Sequence, residues 1–446
     1  MMLHRTSGTS WRAYMLSPQL GAFFVIYSLL ILYCRLAFYR DPTSLFFDPS
    51  MAYRREYSST RQRQAERFIE GAVRASFRRP DNSTPPSLCV GIPTVARDGE
   101  RYFQTSVGGL LHGLTEEERK DIHLITFIAH TEPRVHPAYS EDWLYNVADQ
   151  ILTYDLPPEQ LERIREMERQ KDVYREKGLY DFSYLLEACY RVGAANILMV
   201  EDDVLALNGW YHRTVKALDV AKAQTYRKGV SDCTFVYFAC HLCMAELILR
   251  TDLYLRLFYT EELLGWNIEE WPTYLAWSFA LAAGPMVAMI VARYQFKHLG
   301  RSLTDYTIIL VCGMCIPLCI GLFFAAGRNS MLPIPAGVNE MPKFGCCSQS
   351  LVFPQSKVPK VLKWFADKKI GFVDTLTEEL ADQQNEIRWA LTPSPMQHIG
   401  GKSSKSELPR QPNKMSVAEK LWNFAFELND PELLRREHQE EITSWN

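Results

Sequence analysis

The sequence carries no strong excess of charge of either sign. Its 49 basic and 52 acidic residues give a formal net charge of −3, and without a global positive field we expect no nucleic-acid partner. It also lacks a zinc-finger pattern, because the pair Cys240 and Cys243 has no second pair at the required spacing. These two absences argue against a nucleic-acid-binding protein and against a zinc module held by cysteines.

Charged residues are also missing from two long apolar runs. Residues 273–292 and 307–326 contain none, and residues 20–39 contain only Arg35. Each run matches the roughly 20 residues that cross a bilayer as a helix. No small-residue cleavage site follows the first run, so we interpret residues 20–39 as an uncleaved anchor and residues 272–326 as a transmembrane hairpin. The alternative for the hairpin is a pair of helices buried in a large soluble core.

The loop between the two uncharged runs predicts the orientation of the chain. Residues 295–306 carry Lys297 and Arg301, whereas the preceding segment TEELLGWNIEEW is acidic. The positive-inside rule places this loop in the cytoplasm. The tail at residues 1–19 is then cytoplasmic, and both soluble blocks are lumenal. The arginines that follow the anchor argue the other way, but they lie on a longer segment, where the rule weakens.

The first soluble block alternates apolar strands with helices. After a lumenal stem at residues 40–86, with Asn82 in the chain's sole glycosylation sequon, LCVGIPTVA, IHLITFIAH and ADQILTYD read as strands. The helical segment DFSYLLEACYRVGA then leads into the strand NILMV. This alternation predicts an α/β domain with a parallel or mixed sheet covered on both faces. Residues 87–271 would form its first part, and residues 327–446 its second part and tail.

Three acids follow the strand NILMV directly: Glu201, Asp202 and Asp203. They form either a solvated strand-to-turn junction or a site for Mg²⁺ or Mn²⁺, which prefer oxygen ligands. Ligands of α/β sheets bind beyond the carboxyl ends of strands, which favours the metal site. In the second block, RWALTPSPMQHIGGKSSK reads as a strand that enters a Gly- and Ser-rich turn. That turn is either a phosphate cradle or an ordinary basic loop.

Three motifs together resemble a known family. LCVGIPTVAR, DFSYLLEACY…NILMVEDD and LTPSPMQHIGGKSS are similar, in the same order, to motifs of the N-acetylglucosaminyltransferase IV family. The two uncharged runs and LYLRLFYTEELLGWNIEEW resemble a narrower group, the Golgi transferases that add an N-acetylgalactosamine (GalNAc) side branch to glycosylphosphatidylinositol (GPI) anchors. The segment VYFACHLCMAELILRT departs from that pattern and contributes no site residue.

The resemblance implies a fold, a donor, an acceptor and a cofactor. The fold is a GT-A (Rossmann-like) glycosyltransferase domain interrupted by the hairpin, the donor is UDP-GalNAc, and the acceptor is a GPI-anchored protein. Asp203 and His398 would bind Mn²⁺ or Mg²⁺. The residues implied in donor binding are Thr94, Arg97, Asp181, Tyr184, Glu201, Asp202, Lys402, Ser403 and Ser404.

The resemblance also implies inversion at the sugar's anomeric carbon, which requires one general base. Asp374 and Glu378 lie one turn apart at the start of the predicted helix VDTLTEELAD. Asp374 is our first choice for the base. The alternative is structural, with Asp374 as the N-cap of the helix and Glu378 as a surface residue.

The hairpin would hold the active site close to a lipid-linked acceptor. An N-glycan branching enzyme needs only one anchor, so the hairpin counts against that alternative. A transporter or receptor is a different class, but the uncharged second and third spans offer little for a substrate path. An inactive transferase-fold scaffold is a third class, and turnover of a UDP-sugar would distinguish it from an enzyme.

Overall fold

The computed structural model describes residues 18–80, 84–97, 99–170, 173–239, 251–296, 298, 302–341, 347–401 and 420–445. The chain divides into two compact units. The apolar unit comprises Met1–Arg54 and Leu264–Pro333, and the α/β unit comprises Arg55–Leu263 and Ile334–Asn446. Asn82, Lys402, Ser403 and Ser404 lie outside the described residues, as does most of the segment VYFACHLCMAELILRT.

The strands of the described residues all belong to the α/β unit. They are β1 (Leu88–Thr94), β2 (Ile122–Ile128), β3 (Gln150–Leu152), β4 (Asn196–Val200), β5 (Val204–Ala206), β6 (Asp252–Arg256), β7 (Gly337–Glu340), β8 (Ser350–Pro354), β9 (Ile387–Thr392) and β10 (Met396–His398).

The helices are distributed over both units. They are α1 (Pro18–Ala37), α2 (Pro49–Ala52), α3 (Tyr57–Ala72), α4 (Tyr102–Leu111), α5 (Glu116–Lys120), α6 (Asp142–Val147), α7 (Pro158–Arg169), α8 (Tyr174–Val192), α9 (Trp210–Ala239), α10 (Trp271–Gln295), α11 (Asp305–Leu310), α12 (Ile316–Ala325), α13 (Arg328–Met331), α14 (Val358–Lys368), α15 (Val373–Gln383) and α16 (Pro431–Trp445). A π-helical turn, Val311–Cys315, joins α11 to α12.

The larger sheet is mixed, as the alternation of strands and helices predicts. Its strand order is β3-β2-β1-β4-β8-β6-β9-β7. The first four strands are parallel, β8 is antiparallel to both of its neighbours, and β6 is parallel to β9. A second sheet consists of the antiparallel pair β5 and β10. The strands predicted around residues 88, 122, 150 and 197 are confirmed.

Helices cover both faces of the large sheet, because side chains that alternate along a strand enter two separate cores. Val90 and Leu198 belong to one apolar cluster, whereas Cys89 and Ile197 belong to the other. A disulfide between Cys89 and Cys189 links β1 to α8 within the second cluster. The cores therefore fix the parallel strands whose carboxyl ends carry the predicted site residues.

Helix α3, within the predicted stem, packs into the α/β unit. Its Arg61 is fully buried and donates to the carbonyl oxygens of Ala206, Gly109 and His112 at 2.8, 2.6 and 2.9 Å. A Cβ on Gly108 would lie 2.4 Å from the carbonyl oxygen of Ala65, so α3 and α4 are in direct backbone contact. An Arg-rich helix is thus a structural part of the unit, because backbone carbonyls satisfy its buried guanidinium.

The apolar unit contains the helices that the sequence predicts to span a membrane. Among the described residues, three segments are long and apolar enough: Leu20–Ala37, Glu261–Gln295 and Asp305–Ala325. The Tyr27 hydroxyl donates to the Leu318 carbonyl oxygen at 3.0 Å, which joins α1 to α12.

The ends of these helices are paired. At one end, the Trp266 indole donates to the Phe324 carbonyl oxygen at 3.0 Å, and the Leu45 amide donates to that of Ala325 at 2.9 Å. An ion pair between Arg293 and Asp305 joins the other ends of α10 and α11. The chain therefore leaves α1, enters α10 and leaves α12 at the same end of the apolar unit.

Candidate active site

The carboxyl ends of β1 and β4 bring Thr94 beside the acidic motif. These strands are parallel neighbours with Gly91 opposite Met199, so the residues that follow each strand meet at one edge of the sheet. Thr94 is 2% exposed, and its hydroxyl donates to Asp202 Oδ2 at 2.6 Å. Asp202 therefore points toward the loop that follows β1.

Arg97 binds both aspartates of the motif. Its Nη2 donates to Asp202 Oδ1 at 2.7 Å and lies 3.5 Å from Asp203 Oδ2. Burial opposes the charge on Arg97, but the carboxylates of Asp202 and Asp203 outweigh it and raise its pKa. Burial raises the pKa of Asp202 to about 6, although Arg97 opposes that shift. The guanidinium of Arg97 thus contacts two buried carboxylates, those of Asp202 and Asp203.

His398 reaches Asp203 through the small sheet. Strand β10 pairs with β5 so that His398 lies opposite Val204, and the Ile399 amide donates to the Asp203 carbonyl oxygen at 2.9 Å. This register brings His398 Nε2 to 3.4 Å from Asp203 Oδ2, with both residues buried. Burial disfavours protonation of His398, but the Asp203 carboxylate outweighs it and raises its pKa. The pair therefore attracts a positive charge, either a proton or a cation.

Gly400 packs closely against these two atoms and has no side chain there. A Cβ at this position would lie 2.4 Å from Asp203 Oδ2 and 2.9 Å from His398 Nε2. Two ligands bound to one divalent ion at about 2.1 Å each are about 3.0–3.4 Å apart at right or tetrahedral angles. The donor types, their 3.4 Å separation and the absent side chain all fit a divalent cation.

The remaining acid of the motif belongs to a different set of contacts. Glu201 Oε1 accepts a hydrogen bond from the Ser348 hydroxyl at 2.6 Å, and the Glu201 amide donates to the Gln349 carbonyl oxygen at 3.0 Å. The segment 347–349 leads into β8, which is antiparallel to β4 with Ser350 opposite Val200. Glu201 therefore fixes the entry to β8.

Asp374, on α15, contacts the same segment. Its Oδ2 accepts from the Cys347 amide at 3.2 Å, and its Oδ1 accepts from the Thr375 amide at 2.8 Å. Helix α15 begins at Val373 with Phe372 at the N-cap, so the expectation that Asp374 is the N-cap is wrong. The carboxylate is half-buried one residue inside the helix, where its contact with Cys347 ties it to the segment that also binds Glu201.

Glu378, the second predicted base, lies in an ion-pair network. Oε1 accepts from Arg256 Nη2 at 2.9 Å and from the Tyr254 hydroxyl, and Oε2 accepts from Arg388 Nη1 at 3.0 Å. Arg256 is fully buried, on β6, and Arg388 lies on the neighbouring strand β9. Both oxygens of Glu378 therefore hold two strands together, which favours Asp374 as the base.

Asp181 and Tyr184 lie on α8, beside the loop that follows β3. The Asp181 carboxylate accepts from Lys177 Nζ at 2.8 Å and from the Tyr154 hydroxyl. The Tyr184 hydroxyl accepts from the Asp155 amide at 3.0 Å. Asp181 and Tyr184 form these hydrogen bonds with residues of α8 and of the loop that follows β3. The contacts around the acidic motif instead connect a different group, which consists of Thr94, Arg97, Asp202, Asp203 and His398. A part for Asp181 and Tyr184 in donor binding stays a prediction.

The sequence interpretation missed His136, which is buried in this group. Its Nδ1 accepts from the Ala138 amide at 3.3 Å, so its Nε2 carries the hydrogen and donates to Thr94 Oγ1 at 3.1 Å. Burial lowers the pKa of His136 to about 4, and the ring is neutral. A chain of hydrogen bonds therefore runs from His136 through Thr94 to Asp202. His136 follows β2, whose carboxyl end lies at the same edge of the sheet as those of β1 and β4. This position could have marked His136 as a candidate site residue in the sequence.

Comparisons with known proteins identify the family to which this chain is similar. A family model described as GPI-N-acetylgalactosamine transferase PGAP4 matches residues 88–397. Alpha-1,3-mannosyl-glycoprotein 4-beta-N-acetylglucosaminyltransferase A of Bos taurus is 21% identical over 197 residues, or 40% of this chain. The match spans 36% of that relative's length. Both findings confirm the resemblance that the sequence motifs predict.

Proposed function

The chain belongs to the GPI-N-acetylgalactosamine transferase PGAP4 family, and from this premise we propose that it transfers GalNAc from UDP-GalNAc to the mannose core of GPI anchors. The single observation that carries the proposal is the group of buried residues around Asp203. A carboxylate and an imidazole converge there against Gly400, which has no side chain, beside an arginine-bound Asp202. Such a group suits a metal-bound diphosphate.

We assign the cation of the donor site to Asp203 and His398. Mn²⁺ or Mg²⁺ bound there would offset the negative charge that develops on the departing UDP. Asp202 is held by Thr94 and Arg97 in an orientation that the neutral His136 reinforces. Asp202 and Arg97 therefore orient the nucleotide side of the donor. Lys402, Ser403 and Ser404, which follow Gly401 in the sequence, stay candidates for diphosphate contacts.

Asp374 acts as the general base in this proposal. Its carboxylate takes the proton of the acceptor hydroxyl while that oxygen bonds to the anomeric carbon, and the bond from this carbon to the phosphate oxygen breaks. The products are the glycosylated acceptor, with inverted configuration, and UDP. Because backbone amides orient Asp374, it needs little reorganisation to accept the proton.

The apolar helices fit a membrane-bound acceptor. The chain leaves α1, enters α10 and leaves α12 at one end of the apolar unit, which supports our proposal that α10 to α12 form a hairpin that returns the chain to the side it came from. The disulfide Cys89–Cys189 supports a lumenal α/β unit, because disulfides persist in oxidising compartments. We therefore propose a multi-pass Golgi membrane enzyme with its catalytic unit in the lumen.

Turnover assays with the purified protein test this proposal. UDP-GalNAc, UDP-GlcNAc and UDP-galactose are each offered with a GPI-mimic acceptor, in Mn²⁺ and in EDTA. We expect transfer from UDP-GalNAc, its loss in EDTA and its recovery with Mn²⁺. Asp203→Asn should lose transfer while its melting temperature stays close to the parent's. Unchanged turnover in EDTA would remove the cation from the mechanism.

N-glycan branching is the second candidate, because the bovine relative's name describes a 4-beta-N-acetylglucosaminyltransferase that acts on mannosyl glycoproteins. The same assay distinguishes it when an N-glycan acceptor is offered in parallel. Transfer of GlcNAc to the N-glycan, without transfer to the GPI mimic, would favour the second candidate. Failure to turn over any UDP-sugar, by a folded protein, would favour an inactive scaffold.

A further inference from the structure

Three buried ligand-type side chains meet away from the pair of Asp203 and His398. Glu118 on α5, His212 on α9 and His438 on α16 are 4%, 3% and 6% exposed. One ligand atom from each can be chosen so that all three lie within 4.8 Å of one another. We call these three residues the His-Glu cluster. It joins the C-terminal helix to two elements that are far apart in the sequence.

Hydrogen bonding explains two members of the cluster. His438 Nε2 lies 2.9 Å from Glu118 Oε1 and 3.1 Å from Oε2. Glu118 Oε2 also accepts from the Thr115 amide at 2.9 Å, as the glutamate of a capping box that begins α5. A proton on His438 would satisfy Glu118 and His438 without any ion.

Hydrogen bonding does not account for the burial of the third member, His212. Its ring stacks on that of His438, with centroids 5.0 Å apart. Neither ring nitrogen has a hydrogen-bond partner among the described residues, and Glu437 Oε1 is 3.7 Å from Nε2. A neutral imidazole always carries one N–H and one lone pair, and leaving both unsatisfied in the interior is costly. This ring therefore indicates a ligand that the cluster receives from outside the chain.

We propose that Glu118, His212 and His438 bind one divalent transition-metal ion, best matched by Zn²⁺, and that the ion fastens α16 to α5 and α9 within the α/β unit. Two imidazoles and one carboxylate form a zinc ligand set that leaves a fourth position open. Imidazole ligands favour zinc and its neighbours over Mg²⁺ or Ca²⁺. The ion neutralises the buried carboxylate and occupies a nitrogen of His212. Glu437, beside His438, has Oε1 3.7 Å from His212 Nε2 and pairs through Oε2 with Arg213.

Fastening α16 has a structural consequence for the small sheet. The segment before α16 braces β10, because Gln397 donates to Glu427 Oε1 at 2.9 Å and accepts from the Asn423 amide at 2.9 Å. Gln397 directly precedes His398 in β10. The zinc ion thus stabilises the segment that holds one side of β10. The zinc proposal stands on its own contacts and does not depend on the proposed transferase activity.

The test measures zinc binding by the full chain, purified with a tag that lacks histidine. Every protein in this test carries Asp203→Ala, so that the cation proposed for the donor site does not contribute to the measured zinc stoichiometry. We expect one Zn²⁺ per chain in competition with a chromophoric chelator, and a rise in Tm of about 4 °C at a hundredfold excess over Kd. Glu118→Gln keeps an oxygen for the capping box but removes the charge. It should weaken zinc binding at least tenfold.

Two further variants separate ligation from packing. His438→Phe keeps an aromatic ring for packing but offers no ligand atom, so it should abolish stoichiometric zinc binding and the Tm rise. His298→Phe, at an exposed histidine outside the cluster, should bind zinc like the parent. No stoichiometric zinc in the parent, or equal zinc in folded Glu118→Gln and His438→Phe, would overturn the proposal in favour of a hydrogen-bonded clamp.

Discussion

His398 and Asp203 face each other across the two-stranded sheet, with Nε2 and Oδ2 3.4 Å apart. The pairing of β5 with β10 fixes this relationship, because His398 lies opposite Val204, the residue after Asp203. The acidic motif and the late histidine are thus held by backbone hydrogen bonds. Local changes at this pair should therefore alter cation binding without unfolding the domain.

Gly400→Ala tests the space beside the pair. The added Cβ would lie 2.4 Å from Asp203 Oδ2 and would displace this proposed ligand atom. We expect the Mn²⁺ concentration for half-maximal transfer to rise at least tenfold, because each 1.4 kcal/mol of lost binding free energy is a factor of ten. The matched control is Gly71→Ala, where a Cβ meets nothing within 4 Å. An unchanged Mn²⁺ requirement would place the cation elsewhere.

Asp374 and Glu378 should respond differently to loss of charge. Asp374→Asn removes the proposed base, so we expect kcat to fall by roughly 10²–10⁴-fold with little change in Tm. Glu378→Gln removes the carboxylate that buried Arg256 binds, whereas Arg388 keeps Asp382, so we expect a loss of roughly 3 kcal/mol of stability. The measurements are steady-state turnover and thermal melting of each variant.

Glu379→Gln on the same helix is the control for this pair, since Glu379 forms a partly exposed ion pair with Lys368 at 2.7 Å. It should change neither turnover nor Tm appreciably. If Asp374→Asn kept full kcat while Glu378→Gln lost it in a folded protein, the assignment of the base would be reversed.

The parallel half of the fold could be predicted from the sequence because its signals are local. Apolar runs bounded by polar residues mark β1 and β4, and neighbouring parallel strands place Thr94 and Asp202 together by a general rule. The pairing of β5 with β10 could not be predicted. Each strand has three residues, too few for a periodic pattern, and the pair is set by contacts between distant segments.

The surroundings of a charged residue could not be predicted where its hydrogen-bond or ion-pair partners lie far away in the sequence. Arg61 reads as part of a solvated stem, but Ala206 and Gly109 supply the carbonyl oxygens that permit its burial. Glu378 reads as a surface residue or a base, yet its partners Arg256 and Arg388 lie on strands β6 and β9. Such compensation is a tertiary property, and no local pattern reveals it.

His112 should make the protein less stable in mild acid. Burial, reinforced by Arg61, lowers the pKa of His112 to about 4 in the folded state, against an ordinary value of about 6.5 when unfolded. Below about pH 6.5 the unfolded state therefore binds the extra proton, and stability falls until about pH 4. Allowing for partial exposure, we expect this residue to contribute a loss of about 2 kcal/mol.

His112→Asn isolates this effect. Asparagine does not titrate, and its side-chain oxygen can accept from Arg61 Nη1 as His112 Nδ1 does at 2.6 Å. We expect the variant's Tm to fall less steeply than the parent's between pH 6.5 and 4, with His298→Asn as an exposed control. Parallel curves for the parent and His112→Asn would show that another group controls the acid response.

Removal of the proposed hairpin should affect two kinds of acceptor unequally. Residues 273–326 would be replaced by a short soluble linker, in a protein that still carries α1. If the hairpin positions the catalytic unit at the membrane surface, transfer to a membrane-embedded GPI acceptor should fall by at least about 100-fold, because productive proximity is lost. Transfer to a soluble mannose-containing mimic should persist, since Thr94, Arg97, Asp203 and His398 all belong to the α/β unit.

The matched control replaces the same residues with a hairpin of equal length built from leucine and alanine. It restores the membrane attachment while changing every side chain of the spans, so transfer to the membrane acceptor should recover. Near-parental melting of each variant shows first that the α/β unit is folded. If the hairpin-less protein glycosylated the membrane acceptor as well as the parent, positioning would be excluded and the spans would serve only as anchors. If neither hairpin variant acted on the membrane acceptor, specific side chains of α10 or α12 would contribute to acceptor binding.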